Sequence, residues 1–208
     1  MLVRKLCQQY CPDRLPANLG ERLGDGADGE VFSLIDQPDR VIKLGVILQR
    51  TSLSPEDAYR DMEKVLSVLV EKQPDAFVRV YQYGELYQGN RPYDNGRQNF
   101  LLYYYTMDKL RELTNEERAL FAAILEHPDR IISRNSDALE RFLQEWRGGL
   151  DIDHRRVILL FEQYHAALIE HLDLHQRNIM KDAAGDYKLI DLERTEIRND
   201  PKIPNALR

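Results

Sequence analysis

The apolar positions change period along the chain, and each change marks an element. Val31-Phe-Ser-Leu-Ile35 is a short apolar run rich in strand formers, closed by the turn signal Asp36-Gln-Pro-Asp39. Val41-Ile-Lys-Leu44 follows as another strand. Ser54-Pro-Glu56 then reads as an N-cap with proline at the first helical position. Behind it Met62, Val65, Leu66, Leu69 and Val70 recur at i, i+3, i+4, i+7 and i+8, which is one face of a helix. Val78-Arg-Val-Tyr-Gln-Tyr83 alternates up to Gly84 and predicts a strand, Gly89 to Gly96 a turn-rich loop, and Phe100 to Tyr105 a buried strand.

Downstream the period lengthens. Helical patterns run around Asn115–Leu125 and Asp137–Trp146, with breaks at His127-Pro128 and Gly148-Gly149. A stronger helix spans Arg155–Glu170, where Val157, Leu160, Phe161, Tyr164 and Leu168 share a face. Ile179-Met180 and Tyr187-Lys-Leu-Ile190, joined by Ala183-Ala-Gly185, predict a small hairpin. Residues 1–20 read as irregular or partly helical, punctuated by Pro12 and Pro16.

Composition narrows the setting. At 208 residues the chain fits one domain, or one compact two-lobed domain. Hydrophobic residues make up 43% and charged residues 31%, so a sizeable core can be buried. The net charge of −6 argues against a nucleic acid held on a broad basic surface. No run of 18 apolar residues predicts a membrane span, and Met1–Cys7 lacks the apolar centre of a secretory signal. Cys7 and Cys11 are four apart, half a metal site at most. Reduced thiols in a cytosolic protein are the plainer reading.

Candidate chemistry sits in three places. Leu23-Gly-Asp-Gly-Ala-Asp-Gly29-Glu-Val31 is a G-x-G-x-x-G-x-V pattern comprising Gly24, Gly26, Gly29 and Val31. In a dinucleotide-binding fold such glycines open a helix. Here a strand follows, so the reading is strand, glycine turn, strand. Such a hairpin can lay backbone N–H groups over phosphates, glycine serving close approach and unusual backbone angles. Lys43 lies within an apolar strand. An edge lysine reaching solvent is one reading, and a lysine held over phosphates by a helix glutamate is the other. Glu63 is the first candidate for that glutamate, with Glu56 and Asp61 behind it.

The third place is His171-Leu-Asp-Leu-His-Gln-Arg-Asn178, followed by Leu189-Ile-Asp191. By itself H-x-D also reads as a capped loop with a satisfied histidine. In this order, however, Asp173 can receive an acceptor's proton. Asn178 and Asp191 can hold Mg2+, a hard cation that takes oxygen ligands.

Glycine hairpin, strand lysine, helix glutamate and this loop stand in the order of the protein-kinase-like superfamily, which the chain resembles across residues 20–195. The resemblance implies a minimal bilobal α+β fold: an N-lobe (1–105) with an antiparallel sheet and one helix, and a truncated, mainly helical C-lobe (106–208). It implies ATP as donor, Asp173 as base, Lys43 on the phosphates, and adenine at a hinge around Tyr104, Thr106 and Met107. It makes His171 structural. Glu193 stands where the family has the glycine of D-F-G, which implies little switching there. His175 gives Asp-Leu-His, as in small-molecule kinases of the aminoglycoside and choline type. Only 17 residues follow Asp191, too few for a normal activation segment, and no A-P-E motif occurs. In size and truncation the chain most resembles the HopBF family of type III effector kinases. That likeness implies a serine/threonine kinase moved from the bacterial into the host cytoplasm, where its host protein substrate is the chaperone HSP90. A small-molecule phosphotransferase and a nucleotide-binding pseudokinase remain as alternatives.

Overall fold

Strands separated by tight turns pair with their neighbours, and here they build a five-stranded antiparallel sheet. The computed structural model describes residues 3–26, 28–49, 54–93, 96–126, 136–146 and 152–198. Strands β1 (Leu19–Asp25), β2 (Gly29–Leu34), β3 (Gln37–Leu48), β4 (Val80–Tyr93) and β5 (Gly96–Asp108) lie in the order β1-β2-β3-β5-β4. The chain divides into two compact units, residues 1–71 with 79–109 and residues 72–78 with 110–208.

In the first unit the period of two sorts side chains between two faces. Ile42, Leu44 and Val46 of β3 join Phe32, Phe100 and Leu102 in one core, covered by helix α1 (Val3–Tyr10) through Val3, Leu6 and Cys7. Glu30 pins α1 to the sheet. Its buried carboxylate accepts the Arg4 N–H at 2.8 Å in the first helical turn and pairs with Arg22 at 3.0 Å. Cys7 and Cys11 are free thiols buried in this core, and burial with Cys11 alongside pushes Cys7 up to about 12.

Lys43 points to the opposite face. Helix α2 (Pro55–Lys72) buries Met62, Val65, Leu66 and Leu69 of the predicted face and Tyr59 before them, while Val70 is half-buried. The Tyr59 ring meets that of Tyr103 at 6.2 Å. Ser54 caps α2 as expected, accepting the Asp57 N–H at 3.1 Å.

The second unit holds three helices, α3 (Asn115–Glu126), α4 (Ser136–Glu145) and α5 (His154–Ala166), among the described residues. Two short antiparallel pairs accompany them, β6 (Ile169–His171) with β9 (Thr195–Ile197) and β7 (Ile179–Lys181) with β8 (Tyr187–Leu189). Phe121 centres this core, 6.2 Å from the Phe161 ring and edge-on to Tyr187 at 4.8 Å.

The expected α+β architecture is therefore present, an N-terminal antiparallel sheet followed by a mainly helical part. Three local expectations are corrected. Gly89 to Tyr93 continue β4 rather than looping, because Arg91 and Asn90 bond across to Gln98 and Arg97 at 2.9 and 3.0 Å. Pro92 is tolerated there because β4 is the sheet's edge. Val78 lies outside β4, its N–H donating at 3.0 Å to the Leu189 carbonyl of β8. The helix expected to reach Glu170 ends at Ala166, since Ile169–His171 pairs with Thr195–Ile197. Residues 1–20 are partly helical as expected, carrying α1 and a short turn of helix at Pro12–Arg14, so the sheet has a helix on each face. The expected breaks at His127-Pro128 and Gly148-Gly149 fall outside the described residues. No described helix is long and apolar enough to cross a membrane.

Candidate functional site

The short strands of the second unit gather the residues of the H-L-D-L-H-Q-R-N segment. Pairing of Ile179 with Leu189 sets Asn178 opposite Ile190, whose N–H donates to the Asn178 carbonyl at 2.9 Å. Asp191 is the next residue, so strand register alone brings it beside Asn178. His171 closes the arrangement from β6. Its Nε2 lies 2.7 Å from the Ile190 carbonyl, and its Nδ1 lies 3.3 Å from the Asp173 N–H. A carbonyl only accepts and an amide N–H only donates, so Nε2 carries the proton and the ring is neutral. Burial lowers the His171 pKa, opposed by the Ile190 carbonyl and the nearby Asp191 and Asp173 carboxylates. His171 also donates its backbone N–H to the Tyr164 hydroxyl at 3.2 Å. His171 is thus buried and engaged through both ring nitrogens and its backbone N–H.

The loop between is held by its own backbone. The Asn178 carboxamide donates from Nδ2 to the Asp173 carbonyl at 2.9 Å, across five residues. That bond commits the nitrogen and leaves the oxygen as the atom suited to a cation. Asn178 is buried, whereas the Asp173 side chain is 56% exposed and open to an acceptor molecule. His175 caps the 3-10 turn Gln176–Asn178, its Nδ1 accepting the Arg177 N–H at 3.1 Å. Its Nε2 lies 3.8 Å from the Asp173 carboxylate.

Asp191 is the strained residue of the group. At φ 62°, ψ 58° it occupies the left-handed region, and its side chain does not cap the 3-10 turn Leu192–Arg194 that follows. A non-glycine residue there costs on the order of 1 kcal/mol and persists only where the surroundings impose it. Ile190, bonded on both sides, and the turn behind it impose it here. Glu193 lies within that turn.

An Asn–Asp pair fits magnesium. That ion is held by one or two protein oxygens and completed by phosphates and water rather than by an all-protein cage. Among the described residues no group of three or more His, Cys, Asp or Glu forms such a cage.

The first unit carries the other candidates. The glycine segment is the predicted hairpin, β1 running antiparallel to β2 with Asp25 opposite Glu30. The Gly26 N–H closes the turn onto the Gly29 carbonyl at 2.9 Å. The expected unusual backbone angles are not found, since Gly185, in the β7–β8 turn at φ 88°, is the positive-φ glycine among the described residues. Packing within the fold requires glycine at Gly29. A Cβ there would lie 2.7 Å from the Leu44 carbonyl and 3.1 Å from Lys43 Cε, while Gly24 and Gly26 face open space. Val31 pairs with Lys43, and Lys43 lies 5.8 Å from the centre of the Tyr105 ring.

Glu63 is exposed on α2, four residues after Tyr59. Its runners-up have other partners: Glu56 accepts from Gln88, and Asp61 pairs with Lys64 at 2.8 Å. The three hinge candidates divide by face. Met107 shares the face of Lys43, opposite Val41. Tyr104 and Thr106 look the other way and line a cavity.

Sequence reasoning missed one buried ionic group. Thr114 and Glu117 form a capping box at the start of α3, with N–H to side-chain bonds of 2.9 and 3.2 Å. The same Glu117 carboxylate accepts from the Tyr187 hydroxyl at 3.0 Å and pairs with Lys181. The T-x-x-E spacing was the legible signal, and its partners Lys181 and Tyr187 come from a hairpin far along the chain, Tyr187 being 70 residues away.

No family model matches the chain, and no curated protein matches it either. Among solved structures it is similar to one described as "ROP18 kinase domain in complex with AMP-PNP and sucrose", at 12% identity and a TM-score of 0.46 over 88% of this chain and 52% of that one. The chain thus spans about half the length of that structure.

Proposed function

We propose that the chain is an ATP- and Mg2+-dependent phosphotransferase whose acceptor is a serine or threonine hydroxyl of a protein. The observation that carries this reading is Asp191, held left-handed beside Asn178 while the exposed Asp173 is anchored to both through His171 and the Asn178 carboxamide. Phosphoryl transfer is largely positioning and charge stabilisation, so fixed oxygens count for more than a reactive nucleophile.

In the reaction the acceptor oxygen forms a bond to the γ-phosphorus, and the bond from that phosphorus to the β,γ-bridging oxygen breaks. The acceptor's proton goes to the Asp173 carboxylate and ADP leaves. Asn178 and Asp191 would hold the magnesium, which neutralises phosphate charge when bound. In the first unit the glycine hairpin and Lys43 are the nucleotide-binding elements of this reading, with Glu63 the candidate brace for Lys43. Likeness to the HopBF family further suggests a bacterial effector acting in a host cell, with HSP90 as the substrate to test first.

Incubation with labelled ATP, magnesium and host lysate tests the reading. Label should enter protein and vanish with Asp173→Ala. Absence of labelling, or labelling that survives Asp173→Ala, defeats it. His175, beside Asp173, supports one second reading, transfer to a small alcohol. ATP turnover on aminoglycosides or amino alcohols, with no labelled protein, would establish that reading instead.

A further inference from the structure

The first unit contains a cavity of about 260 Å3 on the α1-facing side of the sheet, away from Lys43. The strand period places it there, because Arg40 and Ile42 share one face of β3 and Lys43 takes the other. Its floor is apolar, Leu34 and Ile42, both buried. Its walls carry Arg14, Arg40, Gln82 and Thr106. Two arginines and no acidic side chain line it, in a chain whose net charge is −6.

Both guanidiniums are anchored in ways that leave most of their donors unspent. Arg14 donates from Nη1 to the Leu86 carbonyl at 2.8 Å. Arg40 donates from Nη1 to Gln37 at 3.2 Å and sits over the Tyr81 ring, 3.6 Å from its centre. A guanidinium has five N–H donors in a rigid fork that matches an oxyanion. Stacking and hydrogen bonding lower the entropy that such a side chain loses on binding.

We infer that this cavity binds a small oxyanion, a phosphate or carboxylate carried on a flat apolar body, with the anion on Arg14 and Arg40 and the body on Leu34 and Ile42. The volume is below the ~300–1,000 Å3 of drug-sized sites, which sets the ligand at fragment size. The inference does not rest on the phosphotransferase reading: the cavity shares Tyr104 and Thr106 with the expected hinge but uses none of Lys43, Asp173, Asn178 or Asp191.

Titration of the 15N-labelled chain, followed by amide shifts, tests it with phenyl phosphate, benzoate, inorganic phosphate and phenol. Phenyl phosphate or benzoate should saturate at millimolar concentration, shifting the Thr106 and Gln82 amides. The one that binds more tightly identifies the anion. Inorganic phosphate should bind more weakly and phenol not at all. Arg14→Gln and Arg40→Gln should each weaken binding about tenfold, as expected for loss of a charge-assisted hydrogen bond. Lys43→Met should leave it unchanged. No saturable shift, phenol binding as well as phenyl phosphate, indifference to both arginine variants, or loss with Lys43→Met would each overturn it.

Discussion

Removing the charge of Glu117 tests how the second unit holds together. Glu117→Gln keeps the side chain's shape but replaces one of two accepting oxygens with a donor. The native carboxylate accepts from the Thr114 N–H at 2.9 Å and the Tyr187 hydroxyl at 3.0 Å, and it pairs with Lys181. An amide must turn its NH2 toward one of these donors, leaving a buried donor unsatisfied at about 1–3 kcal/mol. Lys181 also loses its counter-charge. Breaking a fully buried pair costs about 3–5 kcal/mol, but the Lys181 side chain is 18% exposed and keeps some water. A loss of about 3 kcal/mol is the balanced expectation. At ~2–4 °C per kcal/mol for a chain of this size, Tm should fall by about 6–12 °C.

Thermal unfolding at neutral pH measures that loss, and a cycle with Lys181→Met apportions it. The double variant should lose less than the sum of the singles by about 1–3 kcal/mol, because the second substitution removes a charge already stranded. Unchanged Tm in Glu117→Gln, or strictly additive losses, would refute the reasoning. Acid adds a check. Burial raises the Glu117 pKa, but the bonds from Lys181, the Thr114 N–H and Tyr187 outweigh it, and the net shift is downward. The stabilisation is therefore present above the carboxyl's ordinary value and lost as pH falls through the lower folded one. Only the wild type should show that acid loss. Tyr187, whose phenol burial and Glu117 push upward, stays a donor throughout.

Three further outcomes are expected. His171 is neutral in the fold with a lowered pKa, so the unfolded chain takes up its proton first, and stability should fall below pH ~6.5 by at most ~1.4 kcal/mol per pH unit; His171→Gln should flatten that segment of a Tm-against-pH curve. Asp191→Asn should abolish phosphoryl transfer in the labelling assay without lowering Tm, because asparagine accepts the left-handed conformation at least as readily as aspartate. Gly29→Ala should cost about 1–3 kcal/mol in urea unfolding, since its Cβ meets the Leu44 carbonyl, whereas Gly26→Ala, with open space around it, should stay within about 0.5 kcal/mol.

Local signals were legible wherever neighbours in sequence decide the outcome. The α2 face, its Ser54 cap, the glycine hairpin and the β7–β8 turn all depend on residues a few positions apart. The errors share the opposite property. Gly89 to Tyr93 carry turn-forming residues, yet they form strand because β5 offers a ladder and the edge forgives Pro92. Residues 167–170 continue a helical pattern, yet Ile169–His171 leaves the helix for β9, a partner more than twenty residues on.

The candidate site divides the same way. Order and spacing in the chain determined which residues stand together: Asp173, five residues from Asn178, followed by a strand that ends at Asp191. The spacing is covalent, and any hairpin at 179–189 carries Asn178 and Asp191 to its open end. Only the tertiary structure decided the rest. It neutralised His171 by burial and two hydrogen bonds, turned Asp191 left-handed, and left Glu63 exposed on α2. It also separated Tyr104 and Thr106 from the face of Lys43, and it bonded Glu117 to a hairpin far along the chain. Burial, side-chain facing and long-range pairing depend on which distant segments pack together, and spacing along the chain does not contain them.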